Sequence, residues 1–302
     1  MLRKYPWFKS WQLYVLLLPS LVYLLIMCYS PMYGIIVAFK DYIPALGISE
    51  SNWVGFDNFT RFFESYYFGM LLKNTLTISV YSLLVNMPIP IILALLINEV
   101  RNGWFKKSVQ TISYAPYFVS VVVVVGMCFS FLNPDTGIIN RLLSGIGLTP
   151  VAFMGEGGWF KTIYVLSGLW QGAGWWAIIY VATLSGVDES LHEAATIDGA
   201  GRLKRIIHIN IPALIPTIVV ILIMNVGNIM NVGFEKVYLM QNQMNIQASD
   251  IISTYTYRVG LGSSVKDFGF ATAVGLFNSV VNLVLLFIAN ITSKKAGQES
   301  LW

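Results

Sequence analysis

The polar residues of this chain fall into two groups whose spacing could do chemistry. The first is the stretch from His192 to Pro212, HEAATIDGAGRLKRIIHINIP, which is short, charged and punctuated by glycine. The second lies inside apolar runs. Asn225, Asn228 and Asn231 recur every three residues, Asn278 and Asn282 are four apart, and Trp170, Gln171, Trp175, Trp176 and Tyr180 share one segment. Neither group holds the parts of a catalytic site. No G-x-x-x-x-G-K-[ST], H-E-x-x-H or C-x-x-C occurs in the chain, which argues against a P-loop, a zinc-protease helix and a paired-thiol site. His192 and His208 stand too far from any plausible acid, base and substrate set, so no catalytic residue and no metal ligand is expected. Cys28 and Cys128 both lie in apolar runs and read as small hydrophobes rather than a disulfide or a metal pair.

Amides in an apolar setting can satisfy hydroxyl groups, and aromatic rings can stack on the apolar faces of sugars. The same amides can instead bond neighbouring helices, and Trp and Tyr can mark membrane interfaces. Both readings stand at this level for Asn225, Asn228, Asn231, Asn278, Asn282, Trp170, Gln171, Trp175 and Tyr180. The charged stretch reads as a helix, a tight turn and a second helix. Ser190-Leu191-His192-Glu193 fits a capping box, with Ser190 as N-cap and Glu193 reaching back. Leu191, Ala194 and Ala195 then share a face. Asp198-Gly199-Ala200-Gly201 closes the turn, where glycine permits a positive φ. The basic run Arg202 to Arg205 leads on to the next apolar segment. Side chains this small let another surface come close.

The elements that position these residues follow from composition. Of 302 residues, 56% are hydrophobic and only 11% charged, with a mean hydropathy of +0.66. Soluble domains carry about 25% charged residues, so the chain is read as an integral membrane protein, all-α and polytopic. A spanning helix needs about 20 mostly apolar residues. About six segments qualify, near 12–39, 72–98, 109–132, 161–187, 211–234 and 268–292, within a single transmembrane domain over residues 1–302. The first follows Arg3, Lys4 and Lys9 and is too long for a cleaved signal, so a retained helix is expected. The inner side then holds Arg3, Lys4, Lys9, Arg101, Lys106, Lys107, Arg202, Lys204, Arg205, Lys294 and Lys295. The outer side holds eight basic residues spread over longer loops, so the inner side is roughly twice as basic per residue. Both termini and the 188–208 loop are expected in the cytoplasm. Ionisable groups are scarce inside the spans, against a proton- or sodium-coupled pump. The net charge of +4 carries no nucleic-acid signal. On the outer side, VGFDNFTRFF predicts a short amphipathic helix at the membrane surface, with Asp57 or Asn58 as N-cap. Its Asn58-Phe59-Thr60 tripeptide matches a glycosylation acceptor by chance. The segments 134–160 and 235–267 carry no clear pattern.

The charged stretch resembles the signature of permease subunits in binding-protein-dependent ABC importers. Glu193-Ala194-Ala195, Gly199, Ile209 and Pro212 stand at the family's spacing, with Ile211 in place of the usual Leu, and Asp198 and Ala200 match the D-G-A form common among sugar permeases. Over nearly the whole chain, PMYGIIVAFKDY and WVGFDNFTRFF are similar to the carbohydrate branch that imports complex oligosaccharides of alginate, rhamnogalacturonan or N-glycan type. The resemblance implies a type I importer permease fold without catalysis. Glu193, Ala194, Ala195, Asp198, Gly199 and Ala200 would form a coupling helix docked on an ATPase. The implied partners are a second homologous permease, two ATPase subunits that bind ATP and Mg, and an extracellular solute-binding protein. The competing readings are an ABC importer of a non-sugar solute and an ion-coupled secondary transporter.

Overall fold

The computed structural model describes residues 11–100 and 103–302. Arg3, Lys4, Lys9 and Arg101, four of the basic residues assigned to the inner side, lie outside the described residues. The main helices are α1 (Trp11–Phe39), α2 (Asp57–Phe63), α3 (Phe68–Glu99), α4 (Trp104–Phe118), α5 (Val121–Phe131), α6 (Ile138–Gly145), α7 (Gly157–Ser185), α8 (Glu189–Ile197), α9 (Arg202–Gly227), α10 (Phe234–Met240) and α11 (Phe268–Lys295). Among the described residues, strand structure is limited to β1 (Lys40–Asp41) paired antiparallel with β2 (Asn52–Trp53). Helices α1, α3, α9 and α11 are each long and apolar enough to cross a membrane, and α4 with α5, bent by 96°, can supply a fifth crossing. Helix α7 has the length, 29 residues, but mixes Lys, Ser, Gln and Gly into its apolar sequence. The fifth expected segment, 211–234, is helical only to Gly227. Beyond it the backbone closes i→i+3 turns, Asn228 N to Asn225 O at 3.1 Å and Asn231 N to Asn228 O at 2.9 Å.

The chain forms two compact units, and the first holds residues up to Ser65 together with Thr256–Phe277. In α1, residues 11–33 are all exposed within the chain, although the helix is apolar on every side. Such a surface needs lipid or a partner chain. The helix widens at Leu24–Tyr29 and tightens at Ser30–Phe39, where Pro31 cannot donate to the preceding turn. The core of this unit is aromatic, with Phe62 of α2 against Phe270 and Phe277 at 6.2 and 5.5 Å between ring centroids. Helix α2 forms as the sequence predicts, but neither expected side chain caps it. Asn58 is buried instead, and its Nδ2 donates to the Ala38 and Lys40 carbonyls at 3.0 and 3.2 Å. Helix α11 starts against the same backbone, since a Cβ on Gly269 would stand 2.4 Å from the Lys40 carbonyl oxygen. Asp267 caps it by accepting the Phe270 N–H and also pairs with Arg61 at 2.7 Å.

The second unit, Tyr66–Tyr255 with Asn278–Trp302, is built around α7. Helix α3 breaks at Met87, because Pro88 has no N–H for the turn before it and suits the first turn of a new helix. The bend between α4 and α5 is fastened to α7. Trp175 stacks on Tyr117 with centroids 4.4 Å apart, and Gln171 Nε2 donates to the Val119 carbonyl at 2.7 Å. Backbone approach there is close enough to demand glycine, since a Cβ on Gly174 would fall 1.9 Å from the Ser113 carbonyl oxygen. Apolar cores lie on both halves of α7, one around Ile163, Val237 and Met240 and one around Ala177, Tyr180 and Leu214. The segments that carried no sequence pattern are held by buried asparagines. Asn140 donates to the Leu132, Asn133 and Val151 carbonyls and accepts from Val151 N. Asn74 holds Gln247 and Asp250, and Asn245 holds Met154 and Met240. Each satisfies loop carbonyls that burial would otherwise leave costly.

Candidate coupling loop and translocation cavity

The 188–208 loop is exposed and closed by local hydrogen bonds. The N-cap of α8 is Asp188, whose Oδ1 accepts the Ser190 N–H at 2.9 Å, and not Ser190. That bond holds the Asp188 carboxyl below its ordinary pKa. Glu193 is exposed and makes no capping bond, so the expected capping box does not form. The C-terminal end matches expectation. Gly199 takes φ +76°, Gly199 N bonds Thr196 O at 3.0 Å, and Ala200 N bonds Ala195 O at 2.8 Å, the paired closure of a Schellman turn. A Cβ on Gly199 would meet nothing within 4 Å, so the turn needs this glycine for its backbone and not for room within the chain. Arg205 Nη1 donates to Thr196 Oγ1 at 3.1 Å and ties α9 to α8. Ala194 and Asp198 are exposed, with Ala195 and Ala200 half-buried. Sequence reasoning missed Ile197, which is 86% exposed at the tip, and Leu203, 69% exposed beside it. Apolar residues on an otherwise charged turn are the signal that could have found them.

The second site is a cavity of about 290 Å³, at the lower end of the range for small-molecule sites. Asn225, Asn228, Asn231 and Tyr180 line it as a group, joined by Trp176. Trp170, Gln171 and Trp175 do not. Trp170 is exposed on α7, while Gln171 and Trp175 hold the α4–α5 bend. Asn278 stands behind the lining and donates to Asn231 Oδ1 at 2.9 Å, and Asn231 in turn donates to Asn228 Oδ1 at 3.3 Å. Asn282 is buried, and its Oδ1 accepts the Met230 N–H at 2.9 Å. The opposite wall was not foreseen. Ser79, Ser82 and Asn86 come from α3 at i, i+3 and i+7, one polar face on an apolar run, and Asn86 Oδ1 has no partner among the described residues. Tyr164 of α7 completes the lining, with its hydroxyl accepting the Gly233 N–H at 3.2 Å. Next to it, Lys236 of α10 is buried and donates to the Tyr164 carbonyl at 2.9 Å. Burial lowers its ammonium pKa to about 8. The cavity thus offers amide and hydroxyl groups, one indole and no charged side chain.

An exposed capped turn joined to a helical domain with a polar, charge-free cavity suits a transport permease. Residues 86–298 match the family described as the binding-protein-dependent transport system inner membrane component, and the chain belongs to that family. It is 46% identical to Protein LplB of Bacillus subtilis (strain 168), over 96% of this chain and 91% of that protein. It is 45% identical to the polygalacturonan/rhamnogalacturonan transport system permease protein YteP of the same organism, over 96% and 90%. A chain in the crystal structure of a bacterial alginate ABC transporter, in complex with an alginate pentasaccharide-bound periplasmic protein, superposes with a TM-score of 0.89 at 42% identity, covering 97% of both chains. The protein therefore has the type I ABC importer permease fold and is a multi-pass permease subunit.

Proposed function

We propose that this chain is one of two homologous but different permease subunits of a bacterial importer in the cytoplasmic membrane, which moves an oligosaccharide inward from an extracellular solute-binding protein. The observation that carries this reading is the cavity itself. Its lining of Asn86, Asn225, Asn228, Asn231, Ser79, Ser82 and Trp176 suits hydroxyl-rich cargo with apolar ring faces. Relatives that handle polygalacturonan, rhamnogalacturonan and alginate support the same class of cargo. ATP and Mg²⁺ belong to two partner ATPase subunits, and the chain itself is non-catalytic. The 188–208 loop docks on one of those subunits in the cytoplasm, where both termini also lie. Its exposed Ile197 and Leu203 and its closed turn suit a contact that must transmit force without folding first. The test is co-expression with a candidate partner permease, ATPase and solute-binding protein, purification, and ATPase assay in lipid vesicles. The expected result is a complex containing an ATPase, whose hydrolysis rises with a binding protein loaded with oligosaccharide. Recovery of the chain without an ATPase, or hydrolysis indifferent to sugar, would reject the reading.

A further inference from the structure

Lys236 is the group beside the cavity that sugar passage as described leaves unused. Its side chain is 8% exposed, and its Nζ lies 4.8 Å from the centroid of the Tyr164 ring, which lines the cavity. The same Nζ donates to the Tyr164 carbonyl oxygen, and a Cβ on Gly168 would stand 3.2 Å from it. No carboxylate pairs with Lys236 among the described residues. A buried ammonium without a counter-charge is costly, and a Gln or Met could occupy the position without that cost. The ammonium stays protonated at neutral pH, since its pKa is about 8. No residue of the cavity lining carries charge of its own. Lys236 therefore adds a positive field at the lining, and in a poorly solvated wall that contribution is weakly screened.

We propose that Lys236 sets the charge preference of the cavity, favouring a sugar that bears carboxylates over its neutral counterpart. The proposal rests on the oligosaccharide reading above. Lys236 acts through space and through the Tyr164 ring, not by touching the cargo. Two unit charges roughly 10 Å apart at an effective dielectric of about 20 differ from a neutral pair by about tenfold in binding.

The test uses the whole complex in vesicles with its binding protein, and two probes of equal length and linkage, an oligogalacturonide and its carboxyl-reduced form. The uptake ratio of acidic to neutral probe is measured for wild type and for Lys236→Gln. The binding protein is common to both, so its own preference cancels between them. The expected result is a ratio about tenfold lower in Lys236→Gln and near wild type in Lys236→Arg. If Lys236→Gln does not assemble, Cys128→Asp serves instead with the same drop expected, because Cys128 lies near enough to Lys236 for a carboxylate there to oppose the ammonium. An unchanged ratio, or equal loss of both probes, overturns the proposal and leaves Lys236 as a brace for the Tyr164 carbonyl. A wild-type complex that moves neither probe removes the oligosaccharide reading, and the proposal with it.

Discussion

Residues of one type do different work in this chain. Asn282 is buried and accepts the Met230 N–H, whereas Asn228, just past the end of α9, faces the cavity and donates to Met224 O of that helix at 3.2 Å. Leucine at either position should therefore read out differently. Asn228→Leu is expected to lower uptake per assembled complex about five- to hundredfold, since lost partners for a polar group cost about 1–3 kcal/mol, with assembly unchanged. Asn282→Leu is expected to leave uptake per complex intact and to lower thermal stability by about 1 kcal/mol, in the range of hydrogen bonds within membranes. Uptake normalised to purified complex, with melting curves alongside, checks both. Equal behaviour of the two variants would show that the division is wrong. The sequence picks out both asparagines by periodicity but does not separate them. Which amide meets a backbone N–H and which meets open space depends on where α9 stops, and it stops at Gly227.

At the scale of elements, the 188–208 loop and the α4–α5 bend each turn on one glycine, for different reasons. Gly199→Ala is expected to strain a φ of +76° by about 1 kcal/mol. Substrate-stimulated ATPase activity should fall while the amount of protein in the membrane holds. Ile197→Glu should fold equally well, because the side chain is 86% exposed, yet lose ATPase co-purification if the tip is the docking surface. Retained co-purification would move the contact elsewhere. Glu193→Ala is expected to leave α8 itself intact, because Asp188 and not Glu193 closes its N-terminal end. Gly174→Ala is a different case. Its Cβ would meet the Ser113 carbonyl carbon at 2.4 Å as well as the oxygen, so α4 must move off α7. Overpacking of this kind costs about 1–3 kcal/mol, and a lowered melting temperature with little complex recovered is the expected outcome.

For the whole molecule, the distribution of Lys and Arg makes an orientation testable. After replacement of Cys28 and Cys128, a cysteine at Leu148 should react with a membrane-impermeant maleimide in intact cells. A cysteine at Ile197 should react only once the membrane is opened. Both positions are exposed within the chain, 55% and 86%, so failure to label would not follow from burial in this subunit. Labelling in the reverse sense would invert the topology. The bare apolar sides of α1, with Leu16 at 75% and Leu13 at 65% exposure, fit a chain whose surroundings are lipid and other subunits rather than water.

Composition is sufficient to define a membrane-embedded protein, because a chain with 11% charged residues cannot cover a soluble surface, and apolar runs of about 20 residues make it helical. The closed turn of the 188–208 loop is legible in the sequence as well. Its closure at Gly199 uses contacts within a few residues, so spacing encodes it, although the cap moved from Ser190 to Asp188. The cavity was only half legible. Asn225, Asn228 and Asn231 stood out, but Ser79, Ser82 and Asn86 are remote in sequence and meet them only through packing around α7. The same distance hid Gln171 and Trp175, whose polar and aromatic groups are taken up at the α4–α5 bend. Local rules determine caps, turns and apolar runs. Which polar side chains face a shared space is decided by long-range contacts, and those the tertiary structure alone supplies.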